Sequence, residues 1–139
     1  MTIAVDFDGT IVTNKYPRIG NELPFATDTL KTLVQEGHRL ILWTCREGEL
    51  LEEAVEWCRQ RGLQFYAVNR DFPEDEAQSN THYTRKLKAD LFIDDRNIGG
   101  LPDWGTIYHL IHSHRSLEEL ILEEAGLQQK KKKKGWWPF

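Results

Sequence analysis

The feature that most constrains this chain is an alternation. Short, nearly unbroken apolar runs lie at residues 3–7 (IAVDF), 39–44 (RLILWT), 64–68 (QFYAV) and 90–94 (DLFID). Between them stand stretches with helical spacing. Ala26, Leu30, Leu33 and Val34 share one face of residues 24–36, and Leu50, Leu51, Ala54, Val55 and Cys58 share one face of residues 49–61. Pro24 stands near the start of the first helix, and Gly37 and Gly62 stop the two helices. Strands that are apolar throughout need cover on both faces, and the intervening amphipathic helices supply it. The expected fold class is therefore α/β, with a mostly parallel sheet and helices on both faces. Further on, Gly99, Gly100 and Pro102 mark a turn, and Ile107 with Tyr108 reads as a short fifth strand. Ser116 and Glu119 have capping-box spacing. They open a last helix with Leu117, Leu120 and Ile121 facing inward, and Gly126 closes it.

At 139 residues and 40% apolar composition the chain can bury the core of one domain. Its apolar runs are too short for a transmembrane segment. Its first residues read as a strand rather than a secretory leader, and its two cysteines are too few for a disulfide framework. A cytoplasmic location is the expectation. The net charge of −4 conceals an asymmetry. Residues 130–134 are five lysines, and without them residues 1–129 carry 13 basic against 22 acidic side chains, a net charge of −9. An acidic body repels nucleic-acid phosphates over most of its surface. Residues 1–129 are expected to form the domain, and residues 130–139 (KKKKKGWWPF) a disordered basic and aromatic tail.

Candidate chemistry collects where strands end. Asp6 and Asp8, in VDFDGT, close the first apolar run, and Gly9 lets the chain turn away. Side chains two apart on an extended segment point the same way, so strand geometry held through both would aim two carboxylates at one point. Asp94 and Asp95 close the fourth run. In an open parallel sheet ligands bind beyond the carboxyl ends of the strands. Carboxylates gathered there repel one another unless a cation sits among them, and an oxygen-only donor set favours Mg²⁺. Thr44 ends the second run, where its hydroxyl can meet a phosphate oxygen, and Lys86 and Lys88 precede the fourth. Arg46 and Arg96 follow two of these positions and are candidates for substrate contacts. Trp43 is expected in the core and Cys45 as a small buried residue. His109, His112 and His114 lie away from the strand ends and are not read as metal ligands.

This pattern resembles the haloacid dehalogenase (HAD) superfamily of phosphohydrolases over most of residues 1–108. The family's first motif, Asp-x-Asp-Gly-Thr after a strand, is matched by Asp6, Asp8, Gly9 and Thr10. Thr44 matches the second, Lys86 (or Lys88) the third, and Asp94 with Asp95 the fourth. The resemblance implies a Rossmann-like domain and a Mg²⁺-dependent phosphatase. In it Asp6 is the nucleophile and Asp8 the general acid and base. Asp6, the backbone carbonyl of Asp8 and Asp95 hold the metal, with Asp94 helping through water. Thr44, Lys86 and backbone N–H groups near Phe7 and Gly9 hold the phosphoryl oxygens. The spacings leave no room for a cap domain, so residues 13–23 are expected as a short flap and residues 69–84 as a second rim. Such an open site suits a phosphorylated small molecule or a bulky substrate, or a homo-oligomer whose partner subunit supplies a lid. Two alternatives stand beside this reading. One is a nucleic-acid-end phosphatase that uses the basic tail. The other is a non-enzymatic HAD-fold binding or regulatory protein.

Overall fold

The computed structural model describes residues 1–74 and 86–126. In chain order its elements are β1 (Thr2–Val5), β2 (Val12–Lys15), β3 (Arg18–Glu22), α1 (Ala26–Gln35), β4 (Arg39–Leu42), α2 (Gly48–Gln60), β5 (Ala67–Val68), β6 (Leu91–Ile93), α3 (Trp104–Ser113) and α4 (Leu117–Glu124). Contacts gather the described residues up to Trp104 into one compact unit and those from Gly105 to Gly126 into a second.

The four apolar runs form one parallel sheet in the order β5-β4-β1-β6. From β1 the chain steps to β4 and then to β5 on one side, and returns to the other side of β1 as β6. Neighbouring β1 and β6 are thus where the direction of winding reverses, and a crevice opens beyond their carboxyl ends at such a switch point. Register finishes the placement. Val5 stands opposite Ile93, so the next residues, Asp6 and Asp94, leave the sheet side by side, and Asp6 N–H donates to Ile93 O at 3.0 Å.

Side chains alternate between the sheet faces. Ala4, Ile41 and Ala67 pack with Leu87, and Trp43, Ala89 and Phe92 close around them. Ile3, Val5, Leu40 and Leu42 are buried on the other face. Both crossovers from β1 to β5 step in the same direction, and right-handed crossovers then put α1 and α2 on one face. Helix α1 buries Ala26, Thr27, Thr29, Leu30 and Leu33, whereas Val34 is largely exposed and leaves the expected apolar face. Helix α1 has no cap of its own at Phe25, which is left-handed. The Glu22 carboxylate takes that place, accepting from the Thr27 N–H at 3.2 Å and hydroxyl at 2.9 Å. Helix α2 buries Ala54 and Cys58.

Residues 13–23, expected as a short flap, contain most of an antiparallel hairpin of β2 and β3, with a cis Tyr16-Pro17 peptide between the strands. Its side chains are mostly exposed, so it lacks the apolar alternation that marks a strand. Its glycine is structural: a Cβ at Gly20 would lie 2.1 Å from the Thr13 carbonyl oxygen. A fifth strand is expected at Ile107 and Tyr108, but both belong to α3. Two adjacent apolar residues mimic a strand, but Ile107, Leu110 and Ile111 recur at helical spacing over the longer window.

In the second unit, Ser116 caps α4 with a complete capping box, its Oγ accepting from Glu119 N–H at 3.1 Å. Arg115 pairs with Glu123. Ile121 is 55% exposed rather than inward. Among the described residues no helix is long and apolar enough to cross a membrane. Most of the second rim and the whole lysine tail lie outside the described residues.

Candidate active site

Strand β1 ends at Val5, before the acidic motif is complete. Asp6 and Asp8 therefore do not share a strand face, and their carboxylates separate. Oxygens of Asp6, Asp94 and Asp95 lie within 4.8 Å of one another. The Asp8 carboxylate turns instead to Arg46, which grips it as a fork: Nε to Oδ2 and Nη2 to Oδ1, both 2.7 Å.

Thr10 joins the ends of β1 and β6. Its buried hydroxyl accepts from Asp95 N–H at 3.0 Å. Its proton reaches either Asp6 Oδ2 at 3.2 Å or Asp95 Oδ1 at 3.4 Å. The Thr10 carbonyl is held by the Trp104 indole N–H at 3.0 Å. Gly9 matters by what it lacks. It has φ +87°, and a Cβ there would fall 2.2 Å from Asp95 Oδ2, so only glycine lets this backbone pass the carboxylate. The Gly9 N–H donates to Val12 O at 2.7 Å, so what the geometry displays at Gly9 is this close approach, not a free donor.

Burial, and then the neighbouring Asp94 charge, push the Asp6 carboxyl up from 3.8 to about 7. An N–H of the backbone at Phe7 and the Thr10 hydroxyl oppose that rise. Three carboxylate oxygens this close together fit a hard divalent cation. Asp94 is oriented by its own turn, its Oδ1 accepting from Arg96 N–H at 2.9 Å.

These groups open onto one cleft of about 680 Å³, lined by Asp6, Asp8, Thr44 and Asp94 together with Asn14, Tyr16, Trp43, Cys45, Arg46 and Arg96. The Thr44 N–H is held by Asn69 Oδ1 at 2.8 Å, and its hydroxyl oxygen accepts from Arg46 N–H at 3.1 Å. Thr44 lines the cleft, where its hydroxyl proton can donate to an incoming oxygen. Cys45, expected to be buried, is exposed here; Trp43 is half-buried against the core and also reaches the cleft. Neither Lys86 nor Lys88 lines it. The Lys86 ammonium sits 4.8 Å from the Phe92 ring centroid, and Lys88 is exposed, its backbone N–H on Asp71 Oδ1 at 2.6 Å. Among the described residues, the cations at the cleft are Arg46 and Arg96. Their positions after Thr44 and Asp95 are visible in the sequence; the burial and pairing of Arg46 are not.

The fold and the site together define an α/β protein with an acidic, cation-fitting crevice at the switch point of a parallel sheet. No family model matches the chain. It is 64% identical to a solved structure described as the conserved protein coded by locus from Bacteroides thetaiotaomicron. That match covers 86% of this chain and 96% of that one, with a TM-score of 0.79, and the chain belongs to the same family as that protein. It also aligns over 73 residues, at 27% identity, with a Bacillus cereus protein named "Putative nucleotidase". That alignment spans 52% of this chain and 38% of the Bacillus protein.

Proposed function

We propose that the protein is a Mg²⁺-dependent phosphatase of the HAD type acting on a phosphate monoester. The observation that carries this reading is the convergence of Asp6, Asp94 and Asp95, with Asp6 and Asp94 lining one cleft together with Thr44. The nucleotidase name of the Bacillus relative supports the same class of reaction, and a nucleotide is one substrate to try.

Asp6, Asp94, Asp95 and the carbonyl of Asp8 would hold the cation. When bound, it would neutralise charge on the phosphoryl oxygens. An Asp6 oxygen attacks phosphorus while the bond to the leaving oxygen breaks. The electron pair of that bond goes to the leaving oxygen, which takes a proton from Asp8; Asp8 carries that proton once one of its oxygens leaves the Arg46 fork and is protonated from water. Asp8, now a carboxylate, takes a proton from water as the water oxygen attacks the same phosphorus. The bond to Asp6 then breaks and its carboxylate returns. Thr44 and Arg96 hold the phosphoryl oxygens, which is most of what such a transfer asks of a protein. The geometry favours Arg96 for this over Lys86, whose expected role would require its ammonium to leave the Phe92 ring.

Hydrolysis of p-nitrophenyl phosphate and of a set of nucleoside monophosphates, with Mg²⁺ or with EDTA, tests the reading. Activity that needs Mg²⁺ and disappears in Asp6→Asn is expected. Beryllofluoride, a mimic of the aspartyl phosphate, should bind the wild type and not Asp6→Asn. Failure of both turnover and beryllofluoride binding would leave the non-enzymatic alternative standing.

A further inference from the structure

Among the described residues Arg46 is the only charged side chain that is buried, at 1% exposure. A guanidinium out of water is costly unless its donors are satisfied, and here four hydrogen bonds hold it. Two go to the Asp8 carboxylate. Nη1 donates to Leu50 O at 3.3 Å, in the first turn of α2, and Nη2 also donates to Arg18 O at 3.1 Å, at the start of β3. Its centre lies 5.3 Å from the ring centroids of both Phe7 and Tyr16. The motif loop, the hairpin and helix α2 thus all contribute to fixing one side chain, and that side chain fixes one carboxylate.

An arginine meant for a substrate phosphate presents its fork to the cleft. This one gives its fork, Nε and Nη2, to Asp8. We infer that Arg46 is a positioning residue: it acts through Asp8, setting the direction in which that carboxyl meets the leaving oxygen. The inference rests on the phosphatase reading above. It also separates two jobs that a cleft arginine could perform. Holding phosphate would matter equally for every ester. Positioning a general acid matters most where the leaving oxygen departs poorly without a proton.

The experiment compares kcat/KM for p-nitrophenyl phosphate, whose nitrophenolate leaves readily, with β-glycerophosphate, whose alkoxide does not. In Arg46→Lys and Arg46→Gln, kcat/KM should fall at least about tenfold further on β-glycerophosphate than on p-nitrophenyl phosphate, a part of what a general acid supplies. Asp8→Asn should show the same bias, and Asp8→Asn combined with Arg46→Gln should lose little more than Asp8→Asn alone. Inhibition by inorganic phosphate should stay unchanged in the Arg46 variants. Equal losses on the two esters, or weakened inhibition by phosphate, would overturn the positioning role while leaving the phosphatase reading intact. A wild type that hydrolyses neither ester would remove the reading and the role together. If the Arg46 variants do not fold, the Arg46 Nε–H signal of the wild type decides: slow exchange with water that Asp8→Asn accelerates is expected, and exchange as fast as that of exposed arginines would overturn the proposal.

Discussion

Asp6 and Asp8 are two residues apart, yet they meet opposite electrostatic surroundings. Asp6 sits half-buried among carboxylates, and burial first, then the Asp94 charge, raise its carboxyl to about 7. Asp8 sits against a buried guanidinium with both oxygens bonded. One half of the motif has its charge left unbalanced by the protein, which the proposed cation would offset. The other half is balanced from within. Proximity in sequence says little about shared environment once a strand has ended between the sheet and the motif.

The comparison is broken most severely by Asp6→Asn. On the proposed mechanism it should reduce turnover of p-nitrophenyl phosphate by about a thousandfold or more, as loss of a covalent nucleophile would. The same change should raise the melting temperature in EDTA, since it removes one member of a repelling set. Asp8→Asn should do the reverse to stability. Leaving Arg46 buried without its carboxylate should cost about 3 kcal/mol, read from urea unfolding. If both variants moved stability in the same direction, the contrast drawn between the two aspartates would be wrong.

A smaller effect is expected at the point where the backbone passes Asp95. Gly9→Ala forces a positive-φ residue against Asp95 Oδ2. Mg²⁺ affinity, measured by calorimetry, should weaken by about tenfold or more, the usual scale when the support of a metal ligand is disturbed, while Asp8 keeps Arg46. The mildest perturbation is pH. The Asp6 carboxyl is raised in the folded protein, so the folded state holds a proton that the unfolded chain has released between about pH 4 and about pH 7. Without divalent cation, stability should therefore fall as pH rises through that window. Mg²⁺, which competes with the proton, should bind more tightly over the same range. A melting temperature in EDTA that is flat or rising there, in Asp6→Asn and wild type alike, would remove the evidence for a repelling cluster.

Much of this was legible in the chain. The apolar runs and the glycine-stopped helices located α1, α2 and the four strands of the sheet to within a few residues, because burial on both faces leaves a continuous apolar signature. The acidic residues at strand ends could be placed on one side of the sheet, because parallel strands share a carboxyl end. The hairpin was not legible, since a mostly exposed two-stranded ribbon has no buried stripe to announce it. Nor was the helix at Ile107, where a two-residue window was too short to tell one period from another.

What only the tertiary structure decided was partnership. The sequence determined that Asp6, Asp94 and Asp95 would stand at strand ends; the register of β1 against β6 decided that they meet within 4.8 Å. The sequence also determined that arginine follows Thr44-Cys45. That this arginine is buried, forked onto Asp8 and close to the rings of both Phe7 and Tyr16 depends on a hairpin, a helix turn and a loop arriving at one point. Local pattern encodes which face of an element is apolar. Charge pairing across 38 residues is set by where the folded backbone carries each side chain.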